Sequence, residues 1–252
     1  MDARIGINWR HGILLLIVLG SLAWTFSLEP LAQDLAYHGF ADGRALQGIP
    51  NALDVLSNLP FLVVGIVGLR YCMQANLGAA KAAWSVLFAG IGMVSAGSAY
   101  YHWSPTNSTL LWDRLPMTIG FMGLFCALAS EYVNERLGRL LLLPAVLLGL
   151  ASVVYWHQVD DLRLYLWVQL VPLLSIPAVI VLFERRFSHR WVLLVALAWY
   201  ALAKVTETHD AAIFRSTGET ISGHTIKHLL AAAGCYSLLW MLQVRRPVSA
   251  TT

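Results

Sequence analysis

The chain has 252 residues, of which 58% are hydrophobic and only 12% are charged. Its mean hydropathy is +0.64. Soluble domains carry about 25% charged residues, so this composition indicates an integral membrane protein and excludes an ordinary soluble domain. The net charge of +3 is spread over segment ends. No basic block with interleaved aromatic residues is present, so we expect no nucleic-acid partner.

Apolar segments near the ~20 residues that span a bilayer recur along the whole chain. We predict that each is a helix, because backbone inside lipid must satisfy its own hydrogen bonds. In chain order the predicted spans are 12–28, 52–71, 82–101, 110–130, 138–156, 163–183, 191–206 and 223–243. The seventh is short unless it continues towards His209. The predicted fold is an all-α integral membrane protein, with a seven-transmembrane-helix bundle core over 30–252 and one extra transmembrane helix within 1–29.

The first segment has an alternative interpretation as a signal peptide, with a basic start and an apolar core from Ile13 to Trp24. No persuasive cleavage site follows, which favours a retained helix. Lysine and arginine accumulate at cytoplasmic ends. If the N-terminus is cytoplasmic, eleven of the 17 lysine and arginine residues lie on the cytoplasmic side and six on the outer side. The pattern predicts cytoplasmic N- and C-termini and suits a bacterial inner membrane.

Histidines near the ends of two distant segments predict a metal site. His102 ends the third segment, while His224 and His228 open the eighth and share one helix face through their spacing of four. In the predicted topology all three lie at the extracytoplasmic end. Three imidazoles with an open position are a common way to hold catalytic Zn²⁺, whereas Mg²⁺ and Ca²⁺ prefer oxygen ligands. His11, His38, His157 and His189 are interpreted as loop or interface residues.

Two polar residues at the same depth complete a candidate catalytic set. Asp113 either pairs with its neighbour Arg114 or faces the metal, where a carboxylate can accept a proton from an activated water. Ser98 lies one turn before His102. It is either a small packing residue or a hydroxyl that donates to the water or to a developing oxyanion. Together these parts indicate a metal hydrolase, and their membrane position implies a lipid substrate.

This pattern resembles the alkaline ceramidase family, within the seven-helix membrane hydrolases that include the adiponectin and progestin receptors. The resemblance covers roughly 37–243. It depends on Ser98-x-x-x-His102, then Asp113, then His224-x-x-x-His228, and on Asp54-Val-Leu-Ser57-Asn58-Leu. It implies zinc held by the three histidines, Asp113 as proton acceptor and Ser98 as a supporting or oxyanion contact. The implied reaction is hydrolysis of ceramide to a sphingoid base and a fatty acid.

The loop before the second segment departs from the family pattern. Animal ceramidases carry an acidic stretch there that binds a regulatory Ca²⁺. The matching region here offers Asp42 and Asn51, with Arg44 among them. Ca²⁺ takes six to eight oxygens, so a calcium site is doubtful and Asp42 is expected to pair with Arg44. Farther along, Glu207, His209 and Asp210 either line the mouth of the site or form a solvated loop, which is the favoured interpretation.

Two other classes of function are compatible with the same residues. A receptor-like or sensor protein would use the zinc structurally, which requires a fourth protein ligand. Three histidines without a nearby cysteine favour catalysis instead. A transporter that relays protons would need ionisable residues through the membrane depth. The charges at the inner ends belong to loops, so this third interpretation ranks last.

Overall fold

The computed structural model describes residues 9–248, and within that range the chain is helical without any strand. The apolar runs form helices because lipid offers no partner to an unpaired backbone group. The helices are α1 (Trp9–Ser27), α2 (Ala52–Leu56), α3 (Leu59–Gln74), α4 (Lys81–Trp103), α5 (Asn107–Leu128), α6 (Glu135–Val159), α7 (Arg163–Leu182), α8 (Val192–Thr208), α9 (Asp210–Ser216) and α10 (Gly223–Val244). Short 3₁₀ turns cover Leu35–His38 and Gly78–Ala80, and a π turn at Ala129–Val133 prolongs α5.

Within residues 9–248, seven helical stretches are long and apolar enough to cross a membrane, which confirms an integral membrane protein. They contain α1, α2 with α3, α4, α5, α6, α7 and α10. The predicted seventh segment is α8, which has 17 residues and continues to Thr208, next to His209. That length is at the lower end of the range that spans a bilayer. The predicted cytoplasmic ends of the chain fall partly on 1–8 and 249–252, outside the described residues.

The bundle is built from sequential antiparallel helices. The helix α4 packs between α3 and α5, α5 also contacts α6, and α8 packs along α10. The helix α1 lies at the edge against α7, where the indole nitrogen of Trp167 is 3.2 Å from the Ser21 hydroxyl. Thr25 is its one buried residue. The helix α1 is therefore a peripheral addition to the bundle.

Glycines allow α4 to approach its neighbours closely. A Cβ placed on Gly90 would lie 2.6 Å from the backbone nitrogen of Gly120 in α5. A Cβ on Gly97 would overlap the carbonyl oxygen of Trp112. Small residues at helix contacts of this kind are frequent in membranes, where close packing stabilises the assembly. The contact at Gly97 brings the helix segment that carries Ser98 against the segment that carries Asp113.

A buried ion pair fixes the opposite end of the bundle. The Arg245 guanidinium donates to both oxygens of Glu131, at 2.5 and 2.8 Å. The indole of Trp84 donates to the same carboxylate at 2.7 Å. Each ionic side chain is 5% exposed, so breaking the pair would leave an uncompensated charge in the bundle. This pair joins α10 to the π turn that ends α5.

We predict that Gly97→Ala lowers the free energy of unfolding by about 1–3 kcal/mol, the usual cost of overpacking. The physical cause is the overlap with the Trp112 carbonyl, which can be relieved only by moving α4 away from α5. Thermal unfolding of the purified protein in detergent measures the effect. The matched control is Gly20→Ala in α1, where an added Cβ meets nothing within 4 Å. Equal melting temperatures for G97A and the parent would contradict this packing argument.

Candidate metal centre

Three buried histidines converge at one end of the bundle. His102 comes from the last turn of α4, whereas His224 and His228 come from the first turns of α10. One ligand atom from each lies within 4.8 Å of the others. The Nε2 atoms of His102 and His224 are 3.4 Å apart. Two nitrogens that bind one Zn²⁺ tetrahedrally are separated by roughly 3.3 Å, so this donor set could hold a metal ion and is compatible with zinc.

The orientation of His228 is fixed from behind by Ser57. The Ser57 hydroxyl is 2.7 Å from Nδ1 of His228 and donates to the backbone carbonyl of Asp54 at 3.0 Å. A hydroxyl that donates its one proton to a carbonyl must accept from the imidazole, so Nδ1 carries hydrogen and Nε2 is the free ligand atom. Metal-binding histidines usually have such an outer partner, which sets the tautomer and the ring direction.

A carboxylate beneath the site anchors the start of α10. Asp54 is fully buried, and its Oδ1 accepts from the Thr225 hydroxyl at 2.6 Å and from the Ser222 hydroxyl at 3.4 Å. Ser222 also caps α10 by accepting from the Thr225 backbone N–H. Since Thr225 adjoins His224, these contacts hold the first turn that presents both α10 histidines.

Asp113 and Ser98 occupy the neighbouring part of the site. Both are buried, and the Ser98 hydroxyl lies where it can hydrogen-bond to the Asp113 carboxyl. No ion pair within 4.0 Å joins Asp113 to Arg114. The Arg114 guanidinium instead donates to the Gln33 side chain at 2.6 Å and lies 4.1 Å from the Trp156 ring centroid. The structure thus brings Ser98 and Asp113 together.

The loop between α1 and α2 closes over the histidines. The Phe40 ring centroid lies 4.7 Å from the rings of both His102 and His224. The Asn51 side-chain amide donates to the His102 carbonyl at 2.8 Å. That carbonyl lies in the last turn of α4, where helix carbonyls lack an intrahelical donor. Asn51 therefore contributes to the site by capping α4.

Asp42 is paired as the sequence predicts. The Arg44 guanidinium donates to both oxygens of the Asp42 carboxylate, each at 2.7 Å, and reaches the Thr220 carbonyl before α10 at 2.9 Å. The hydrogen bonds from Arg44 hold the pKa of Asp42 below its usual value. The guanidinium thus occupies the position that a cation would take on this carboxylate.

The solvated-loop interpretation is wrong for two of the three residues near the end of α8. The Glu207 side chain is only 11% exposed and accepts a hydrogen bond from the Tyr37 hydroxyl at 3.0 Å. Asp210 accepts from the backbone N–H of His224 at 2.8 Å and of Ala41 at 2.9 Å. His209 is exposed, as predicted. The sequence alone does not show which residues surround these carboxylates, so it could not predict that they turn inward.

Several residues that build this site had no assigned role in the sequence. Asp54 and Ser57 belonged to the Asp-x-x-Ser-Asn run, but their partners on α10 lie about 170 positions away in the chain. Lys227 lies within the His224-x-x-x-His228 motif and points its ammonium towards His224. The one indication of a role for these three residues in the sequence was their place within the Asp54–Asn58 run and the His224-x-x-x-His228 motif.

Comparison with protein families matches residues 47–251 to the family described as Ceramidase, and the chain belongs to that family. Comparison with individual curated proteins gives no match. Membership agrees with the resemblance noted from Ser98, His102, Asp113, His224 and His228. The family implies an amide hydrolase with a lipid substrate, in agreement with the membrane-spanning helices.

We predict that Ser57→Ala weakens metal binding about 10- to 100-fold, the usual effect of removing an outer partner of a ligand histidine. The imidazole of His228 would lose the contact that fixes its tautomer. Competition with a chromogenic zinc chelator measures the affinity. The matched control is Ser175→Ala, a buried serine in α7 whose hydroxyl bonds only within its own helix. An unchanged affinity in S57A would show that Ser57 does not orient the ligand.

Proposed function

We propose that this chain is a zinc-dependent membrane amidase that hydrolyses ceramide, or a ceramide-like N-acyl lipid, to a sphingoid base and a fatty acid. The observation that carries the proposal is the convergence of His102, His224 and His228, in a member of the ceramidase family. The cluster found among residues 9–248 has three protein ligands. Three ligands leave an open position, which favours catalysis over the receptor-like alternative.

Zinc would be held by the three imidazoles, and when bound it would supply a Lewis acid that polarises the substrate carbonyl and activates water. His228 is directed for this task by Ser57. All three histidines are buried, and burial disfavours a charged imidazole and keeps the nitrogen lone pairs available. Phe40 covers two of the rings and limits the approach of bulk water from that side.

Asp113 is the proposed proton acceptor. Its carboxylate would take a proton from the attacking water and return it to the amide nitrogen as the C–N bond breaks. The products are then a free amine and a carboxylic acid, with one water consumed. Ser98 would orient the carboxyl through its hydroxyl. Arg114 does not neutralise Asp113 by an ion pair, so the carboxylate stays available for proton transfer.

The proposed location is the extracytoplasmic face of a bacterial inner membrane, with both termini in the cytoplasm. The orientation is supported by the lysine and arginine bias, because the end opposite the histidines carries most of these residues. We further propose that 30–252 form the hydrolase domain and that 1–29 contain an added helix. The edge position of α1 against α7 supports this division.

We predict that Asp113→Asn keeps bound zinc but lowers turnover by about 10²–10⁴-fold, the usual contribution of a positioned acid–base group. The physical reason is that an amide cannot accept the proton. Release of fatty acid from an N-acyl sphingoid lipid, together with metal analysis of the same sample, measures both quantities. A variant with normal turnover would remove Asp113 from the mechanism.

We predict that His224→Ala abolishes both zinc binding and turnover, since two histidines remain where three are needed. The matched control is His157→Ala, an exposed histidine near the end of α6 that should retain both. Metal content and lipid-amidase activity are measured as for D113N. Full amidase activity without His224 would refute the proposed function.

A further inference from the structure

A second group of charges lies against the metal centre. The Lys227 ammonium is 3.0 Å from Oε1 of Glu207 and 2.9 Å from Nε2 of His224. The other oxygen of Glu207 pairs with Lys204, and the Tyr37 hydroxyl donates to Oε1 at 3.0 Å. Lys227 is thus a cation held by a carboxylate on one side and directed at a candidate metal ligand on the other.

The burial of this group distinguishes it from a surface ion pair. The side chains of Lys227 and Glu207 are 16% and 11% exposed, whereas Lys204 is 53% exposed. Exposed pairs contribute little because solvent screens them, but a partly buried ammonium acts strongly on charges nearby. Lysine is seldom this buried unless it is paired, and here the partner is Glu207.

The local balance of charge leaves Lys227 able to attract an anion. Within residues 9–248, two ammonium groups share the one carboxylate of Glu207, and Lys227 forms no other ion pair. An ammonium has three hydrogens and no acceptor. One donates to Glu207 and another points at Nε2 of His224. A metal on that nitrogen would leave this hydrogen without its partner and directed into the site.

We propose that Lys227 binds the acyl end of the substrate, by donating to the amide carbonyl oxygen and then to the carboxylate of the released fatty acid. This inference rests on the proposed amidase function and adds the direction in which the lipid lies. The acyl carbonyl faces Lys227, because the cation attracts the oxygen that gains negative charge. The amine product is repelled by the same cation and must lie on the other side of the broken bond. Glu207 positions the ammonium.

Equilibrium binding of two labelled ligands tests the proposal in zinc-loaded full-length protein. The ligands are palmitic acid and hexadecanol, which share a chain length but differ in charge, in nanodiscs of a neutral phospholipid with empty discs subtracted. Lys227→Met should weaken palmitate binding about tenfold or more, the factor that corresponds to a hydrogen bond with a charged group. Hexadecanol binding should change less than twofold. Lys227→Arg should restore part of the palmitate affinity.

The matched control is Lys204→Met, which removes an exposed cation from the same carboxylate but no donor from the site, and should weaken palmitate binding much less than K227M does while leaving hexadecanol binding within about twofold. If K227M cannot be purified, Lys227→Gln removes the charge while keeping a polar side chain, and palmitate binding should again weaken more than hexadecanol binding. Equal palmitate affinity in the parent and K227M would overturn the inference. An equal loss of both ligands would also overturn it, because that outcome describes general damage to the pocket.

The proposed function is tested separately in the same preparations by cleavage of N-palmitoyl sphingosine. Lys227-dependent palmitate binding without any amide cleavage would uphold the carboxylate site and refute the amidase. If the protein cleaves the amide but palmitate binds equally well to the parent and to K227M, the amidase is upheld and the role of Lys227 is overturned.

Discussion

The contact between the last turn of α4 and the first turns of α10 is the constraint on which the site depends. It places the Nε2 atoms of His102 and His224 3.4 Å apart, and both imidazoles are buried. Polar groups buried this way are costly unless each finds a partner. The structure meets that cost around α10, where Asp54 binds Ser222 and Thr225 and Ser57 binds His228. The Nε2 atoms of His102 and His224 face each other, which is an arrangement that a metal would stabilise.

The loops at this end connect the histidines to distant parts of the chain. Asp210 joins the backbone of His224 to that of Ala41, and Asn51 caps the carbonyl of His102. The pair of Asp42 and Arg44 adds a link to the Thr220 carbonyl. A neutral hydrogen bond contributes about 0.5–1.5 kcal/mol, and a hydrogen bond to a charged group about 1.5–3 kcal/mol. The combined effect of these contacts is to hold Phe40 over the histidine rings.

The sequence predicted most of the helices and the convergence of the three histidines for clear physical reasons. Apolar runs near bilayer length leave no alternative to helix, and histidines four residues apart in α10 must share a face. The number of predicted spans and the alternating direction of the helices placed His102 at the same end of the bundle as that face. The break at Ser57 and Asn58, which divides the second segment into α2 and α3, was not predicted, although Ser57, Asn58 and Pro60 are residues that favour such a break.

Long-range partners were the part that the sequence could not supply. Glu207 looked like part of a solvated loop, yet tertiary packing turns it towards Tyr37 and Lys227. Arg114 looked like a partner for Asp113, but consecutive residues on a helix point about 100° apart, and Arg114 lies among aromatic rings instead. Lys227 lies between the two histidines of α10, and its position in the sequence does not indicate its contact with Glu207. In each case the deciding contact joins different secondary-structure elements.

We propose that a zinc ion on His102, His224 and His228 makes this chain a lipid amidase. The most direct measurement is fatty-acid release from N-acyl sphingoid lipids by the purified protein as isolated, after removal of metal by a chelator, and after zinc is restored. We expect the amidase activity to be lost when the metal is removed. It should return as zinc is added and reach its maximum at about one bound zinc per chain. Tightly bound zinc with no cleavage of any amide lipid, or cleavage that survives complete metal removal, would contradict it.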